Sequence, residues 1–133
     1  LPPKTYENGD FIIPNSSKHM ANEMYREYVN TSKDIVYIES EKHVLLIHLK
    51  DGQKLHVVEK LGEIEKRINA KNFIRCHQSY LVNMDYIKDV EDDFVMEDGT
   101  LVPIRVRGRK EILDTYYDYF VNHFGDSKDN FAE

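Results

Sequence analysis

The chain has 133 residues, 41% hydrophobic and 32% charged, with a formal charge of −6. That length suits one ordinary domain with a buried core, and no apolar run reaches the roughly 18 residues that a transmembrane helix requires. The single Cys, Cys76, excludes an internal disulfide framework and fits a reducing, cytoplasmic setting.

No signal-peptide pattern opens the chain and it does not begin with Met, so it reads as a fragment or processed product of a longer protein. Taken whole, the negative charge argues against a partner made of phosphates. The charge is segregated, however. Residues 113–133 carry one basic and five acidic side chains, and residues 85–98 carry seven acids against Lys88. With 85–98 set aside, the remainder of 35–112 holds 12 basic and 7 acidic residues. Such a distribution allows one basic face and one repelling face.

Residues 1–10 contain Pro2, Pro3 and Gly9 without periodicity and read as a linker. Phe11–Ile13 is a short apolar run ended by Pro14. The stretch 17–29 fits either a helix or a hairpin closed by a polar loop. Asn30-Thr31-Ser32 offers cap residues for a short turn. From Asp34 onward the signal is β. Asp34–Ile38, Val44–Leu49 and Lys54–Val58 are strands. A three-residue loop over 51–53 opposes Leu49 to Leu55 and Ile47 to Val57, with Gly52 or its neighbour left-handed; a two-residue loop would oppose Leu49 to Lys54.

Residues 59–70 change to helical period, with Leu61, Ile64 and Ile68 on one face. Phe73–His77, Tyr80–Val82 and Tyr86–Val90 resume strand character. Phe94–Met96 and Leu101–Val106 are joined across Asp98-Gly99 in a predicted type I′ hairpin, with Arg105 and Arg107 facing away from Val102, Ile104 and Val106. A helix over 111–124 carries an apolar stripe, Gly125 suits its C′ position, and 126–133 is a polar tail.

Enzyme chemistry finds little support. Cys76 and His77 are strand neighbours, point to opposite faces, and so do not form a nucleophile–base pair. Cys76 reads as a small buried hydrophobe. In the preferred register His48 and His56 are cross-strand neighbours, but a structural metal site needs about four ligands and no third is suitably spaced. The acids at 91–93 and 97–98 lack EF-hand spacing. No Gly-rich phosphate loop, catalytic residue, metal site or cofactor is indicated.

What remains is a set of polar tips between strands: Glu41-Lys42-His43, His77-Gln78-Ser79, and the cluster Arg105, Arg107, Arg109 and Lys110. Arg and Lys can pair with guanine, Gln with adenine, and His can donate or accept, while Arg, Lys, Ser and backbone amides bind phosphate. Each tip taken alone reads more readily as solvated loop charge.

Several blocks together resemble the LytTR DNA-binding domain of bacterial response regulators. They are Asp34-Ile-Val-Tyr-Ile-Glu-Ser40, Lys50-Asp-Gly52, Leu61-Gly-Glu-Ile64, Phe73-Ile-Arg-Cys-His-Gln-Ser-Tyr-Leu-Val-Asn83, Tyr86-Ile87, Asp98-Gly99, Val102-Pro-Ile104 and Arg109-Lys110-Glu-Ile112. The 73–83 block is the most specific. The best-matched core is 34–112, inside a domain over 11–125.

The resemblance implies a mainly β fold: elongated antiparallel β-sheets with one short central helix and a C-terminal helix. It also makes Phe11–Ile13 and Met24–Val29 strands. It implies sequence-specific double-stranded DNA binding, with loops reading successive major grooves. His43, Gln78 and Arg107 become base-reading residues; Lys42, Ser79, Arg109 and Lys110 become phosphate contacts. Gln78 stands where Asn is common. His77, Tyr80 and Asn83 become a turn-stabilising imidazole, a packed ring and a capping amide.

The implied setting is the output domain of a transcription regulator, with a phospho-receiver domain before Leu1 and dimerisation on tandem-repeat promoter sites. Two other classes compete: a β-rich protein-interaction module without DNA binding, and a metal-dependent enzyme. The DNA reading also requires the acidic hairpin 89–98 and the tail to face away from DNA.

Overall fold

The structure, a computed structural model, describes the backbone of residues 4–5, 11–13, 32–68 and 70–132, with side chains over 33–68 and 70–123. Runs of β-branched and aromatic residues broken by Gly- and Asp-bearing turns give short strands. In chain order these are β1 (Lys4–Thr5), β2 (Phe11–Ile13), β3 (Ile35–Glu41), β4 (Val44–Leu49) and β5 (Lys54–Val57), then helix α1 (Leu61–Ile68). They continue with β6 (Phe73–His77), β7 (Tyr80–Asn83), β8 (Ile87–Val90), β9 (Phe94–Met96), β10 (Leu101–Val102) and helix α2 (Arg109–Ala132). Turns of 3-10 helix cover Ser32–Asp34 and Met84–Tyr86.

One sheet runs β1-β2-β5-β4-β3-β7-β6 and a second runs β10-β9-β8. All pairs are antiparallel except β2 with β5, which is parallel. Ile35, Ile38, Leu45, Ile47, Leu55 and Leu81 bury one face of the large sheet against Leu61, Ile64 and Ile68 of α1. The other face, with Val36, Tyr37, Cys76 and Val82, meets Phe94, Met96 and Val102 of the small sheet and Ile112, Tyr116 and Tyr119 of α2. A register shift between Ile35 and Tyr37 explains how four consecutive residues, Ile35–Ile38, are all buried. The bulge turns Val36 and Tyr37 toward one core and leaves Ile35 and Ile38 in the other.

Several expectations are corrected. In the β4–β5 hairpin Ile47 faces Leu55 and Leu45 faces Val57, so the turn spans 50–52 and lies one residue earlier than expected. The shift of the pairing is even, and the apolar face is therefore kept. Gly52 is left-handed, as expected, at φ 89°. The same register sets His48 opposite Lys54 and Leu46 opposite His56, so the two histidines are not directly paired. The β9–β10 turn is a three-residue loop, Glu97–Gly99, because Met96 N–H bonds Thr100 O and only Gly99 has positive φ there. A type I′ turn needs two such residues.

The last strand ends at Val102, where Pro103 removes a ladder donor, and Val106 is 91% exposed. Helix α2 runs through Gly125 to Ala132, since a glycine within a helix costs only about 1 kcal/mol. Lys4–Thr5, in the expected linker, pairs with Phe11–Ile12. The expected strand over 24–29 and its helical alternative lie outside the described residues.

Candidate nucleic-acid interface

β3 and β4 are joined by two residues, Lys42 and His43, both exposed. Lys42 has φ 58°, a left-handed conformation unusual for a side chain branching from Cα. β6 and β7 are likewise joined by two residues, Gln78 and Ser79. Glu39 pairs with Tyr80 across β3 and β7, and Ser40 N–H donates to Ser79 O at 2.8 Å. Antiparallel register therefore brings the Lys42-His43 tip and the Gln78-Ser79 tip to the same end of the large sheet.

The third tip, between β10 and α2, is drawn to the same end. Arg105 N–H donates to Cys76 O at 2.8 Å, and the Cys76 Sγ–H donates to Pro103 O at 3.4 Å. Burial pushes the Cys76 thiol pKa up to about 12, so it is a packed thiol and not a reactive one. Arg105 folds back and donates from Nε to Arg107 O at 2.9 Å. Gly108 is left-handed at φ 78°, and a Cβ there would lie 3.2 Å from the Arg105 guanidinium. The glycine thus permits the chain to turn under Arg105 and enter α2.

Among the described residues, the side chains of Lys42, His43, Gln78, Arg107 and Lys110 have no intramolecular partner, and all five are exposed. Ser79 is half-buried. Arg109 differs from its expected role. Its Nη1 donates to Asp92 O at 2.6 Å and its Nη2 to Glu91 O at 2.8 Å. That guanidinium is a clamp on the β8–β9 turn, not an open phosphate donor. The same bonds fasten the Glu91–Asp93 turn of hairpin 89–98 beside the third tip. Only its other end, around Asp98, lies at the far end of the strands, where it helps line a cleft with Tyr37, His48 and Gly52.

The three residues expected to be structural behave so. His77 Nδ1 accepts from Ser79 N–H at 3.0 Å, and Tyr80 packs edge-on against the His77 ring. Fully buried Asn83 donates from Nδ2 to Ile35 O at 2.8 Å and accepts at Oδ1 from Asn72 Nδ2 and from Asp85 N–H, both at 3.0 Å. Behind this loop, Glu39 accepts from Tyr80 OH at 3.2 Å and from His48 Nε2 at 3.0 Å, and His48 stacks on Tyr37 at 4.0 Å between ring centroids. Burial lowers the His48 pKa, with the Glu39 contact opposing it.

Sequence reasoning gave no role to Arg75 and treated Arg105 only as part of a basic cluster. Arg75 donates from Nε to His77 O at 3.2 Å, from Nη2 to Gln78 O at 2.7 Å, and from Nη1 to Glu65 Oε1 at 3.0 Å. The available signal was an Arg two residues before a predicted tight turn, within reach of its carbonyls.

The layout is that of a β scaffold presenting polar loop tips. No group of three or more His, Cys, Asp or Glu suited to a metal occurs among the described residues, and no helix among them is long and apolar enough to cross a membrane.

A family model described as the LytTr DNA-binding domain matches residues 26–114. The chain belongs to that family, a family of DNA-binding domains in transcription regulation. It is 32% identical over 87 residues to the sensory transduction protein LytT of Bacillus subtilis, a match covering 61% of this chain and 36% of LytT. It is 36% identical over 62 residues to the transcriptional regulatory protein LytR of Staphylococcus aureus, covering 47% of this chain and 25% of LytR. The match thus spans about a third or less of each relative's length. A solved LytTr DNA-binding domain from Bacillus cereus has a TM-score of 0.52 and 24% identity, covering 68% of this chain and 80% of that one, which shows the shared fold.

Proposed function

We propose that this domain binds double-stranded DNA sequence-specifically as the cytoplasmic output domain of a bacterial transcription regulator, with its three tips entering successive major grooves. His43, Gln78 and Arg107 read bases. Lys42, Ser79 and Lys110 hold phosphate. Arg109 leaves the phosphate set and serves the fold. The observation that supports this reading is the convergence of three tips on which the exposed side chains of Lys42, His43, Gln78, Arg107 and Lys110 have no partner among the described residues. Groups of this kind keep their hydrogen-bonding capacity for an external ligand.

Two energetic terms follow. Lys42 and Lys110 give a salt-dependent, sequence-independent contribution. Lys110 also lies in the first turn of α2, where a cation is unfavourable beside the helix dipole until an anion joins it. His43, Gln78 and Arg107 supply discrimination of about 1–3 kcal/mol for each good base contact. In the regulator, a preceding phospho-receiver domain and dimerisation on tandem repeats would raise affinity through effective concentration.

Selection of bound duplexes from a random pool, followed by anisotropy titration, tests this. An enriched motif is expected. With Arg107→Ala, affinity for that motif should fall by about 1–3 kcal/mol and preference at one base pair should relax. Binding that never exceeds that of random DNA would overturn the reading in favour of a protein-interaction module. Unchanged affinity in Arg107→Ala would remove Arg107 from the base-reading set.

A further inference from the structure

We infer that Arg75 is a positioning residue for Gln78: its guanidinium fixes the backbone from which Gln78 meets the base, without itself touching DNA. The inference rests on the DNA-binding reading above and extends it to a residue inside the sheet.

Gln78 lies in a two-residue loop, and almost every polar backbone group of that loop is held. Arg75 takes the carbonyls of His77 and Gln78. His77 Nδ1 takes the Ser79 N–H, and Ser40 N–H takes the Ser79 carbonyl. The pairing shifts between Arg75, opposite Leu81, and His77, opposite Tyr80, so a bulge at Cys76 redirects the strand just before the loop.

The remaining Arg75 contact, to Glu65, ties this assembly to α1. Glu65 directly follows the Leu61–Ile64 turn that anchors α1 in the core, so the helix acts as a buttress for the reading loop. An amide reads adenine through two hydrogen bonds of fixed direction, so its backbone must be set before contact. Only a planar fork can hold two successive carbonyls and a carboxylate together. A lysine keeps the charge but places one nitrogen where three are required.

Three roles for Arg75 give different results: positioning, phosphate contact and general fold support. The test uses the selected duplex and a scrambled one, titrated at several salt concentrations with wild type, Arg75→Lys, Gln78→Ala and the double variant. Positioning predicts that Arg75→Lys binds the selected duplex about tenfold more weakly. Affinity for scrambled DNA and the salt slope should not change. Repeat selection should lose preference at the same base pair as Gln78→Ala, with the pairs read by His43 and Arg107 unaffected. The double variant should be no weaker than Gln78→Ala alone, because the two residues act as one unit.

A reduced salt slope with equal loss on both duplexes would make Arg75 a phosphate ligand and overturn the inference. Additive losses, or wild-type binding by Arg75→Lys, would overturn it as well. If Arg75→Lys does not fold, Glu65→Gln replaces it, with a loss of a few-fold expected at the same base pair; no loss, or loss at a different base pair, overturns the inference. Wild type that prefers no sequence would defeat the DNA-binding reading itself. A specific wild type with an indifferent Arg75→Lys defeats only the role of Arg75.

Discussion

The backbone N–H of Arg105 donates to the carbonyl of Cys76 at 2.8 Å, and this bond joins the chain entering α2 to the edge strand β6. Cys76 is two residues before Gln78 and Arg105 two residues before Arg107. A strand edge left open by β6 is thus closed by the segment that carries the third tip. The consequence is mechanical: the Gln78 and Arg107 tips share one support, and a change at that seam reaches both.

The opposite end of the same sheet depends on Asn83. It is fully buried and bridges Ile35, Asn72 and Asp85 with three hydrogen bonds. Asn83→Ala leaves the buried Ile35 carbonyl unpaired and removes the bonds to half-buried Asn72 and exposed Asp85, and should cost about 2–3 kcal/mol. Asn83→Asp keeps the shape but sets a carboxylate oxygen against the Ile35 carbonyl, and should cost at least as much. Urea unfolding reports both; midpoints equal to wild type would show that the bridge contributes nothing.

Lys42 holds a left-handed backbone at the very tip of β3–β4. That conformation costs a non-glycine residue roughly 1–2 kcal/mol, partly balanced by the extra freedom a glycine loses on folding. Lys42→Gly should therefore leave stability unchanged or raise it by up to about 1 kcal/mol. The same variant should bind DNA more weakly at low salt and show a shallower salt slope. A destabilised Lys42→Gly with an unaltered slope would mean that neither the strain nor the phosphate contact is real.

The two faces of the fold differed in how openly the sequence declared them. Alternation in β4 and β5 and the spacing of Leu61, Ile64 and Ile68 marked one core directly, because each residue's side follows from its period. Ile35–Ile38 did not alternate, since a bulge has no sequence period of its own. The Val102–Val106 alternation misled in the opposite way: Pro103 ended the ladder, and Val106 became solvent-exposed. At the site, the exposed tips were legible as polar loop residues. Which arginines serve the fold and which remain open was not. Arg75, Arg105, Arg107 and Arg109 are the same side chain in sequence, and only the carbonyls within reach of each guanidinium separate them.

His48 is poised to make stability pH-dependent. Burial lowers its pKa below the ordinary 6.5, against the pull of Glu39 and Asp98 and together with Lys54, while Tyr37 covers the ring. Folded His48 therefore resists a proton that the unfolded chain accepts. Stability should be unaffected by this group above about pH 6.5 and should fall as pH drops below it, toward the lower folded value. His48→Gln, which can still donate to Glu39, should lose less stability than wild type between neutral pH and about pH 5. Parallel pH curves for the two proteins, measured by urea midpoint, would exclude His48 as the source.

The acidic turn Glu91–Asp93 offers a prediction about specificity. Arg109 grips the Glu91 and Asp92 carbonyls, so the exposed Glu91 and Asp92 side chains are held beside the loop that carries Arg107. An arginine side chain spans less than a Debye length at physiological salt, about 8 Å, so those carboxylates repel any phosphate drawn to this tip. Repulsion of this kind weakens binding to every sequence, whereas base contacts strengthen binding to one. The Glu91→Gln/Asp92→Asn double variant should therefore bind scrambled DNA several-fold more tightly at low salt. Its gain on the selected duplex should be no larger, so the ratio between the two falls or stays level. Raising salt should erase the difference. Unchanged affinity for scrambled DNA at low salt would show that the turn, though fastened beside the tip, points its charge away from the phosphates.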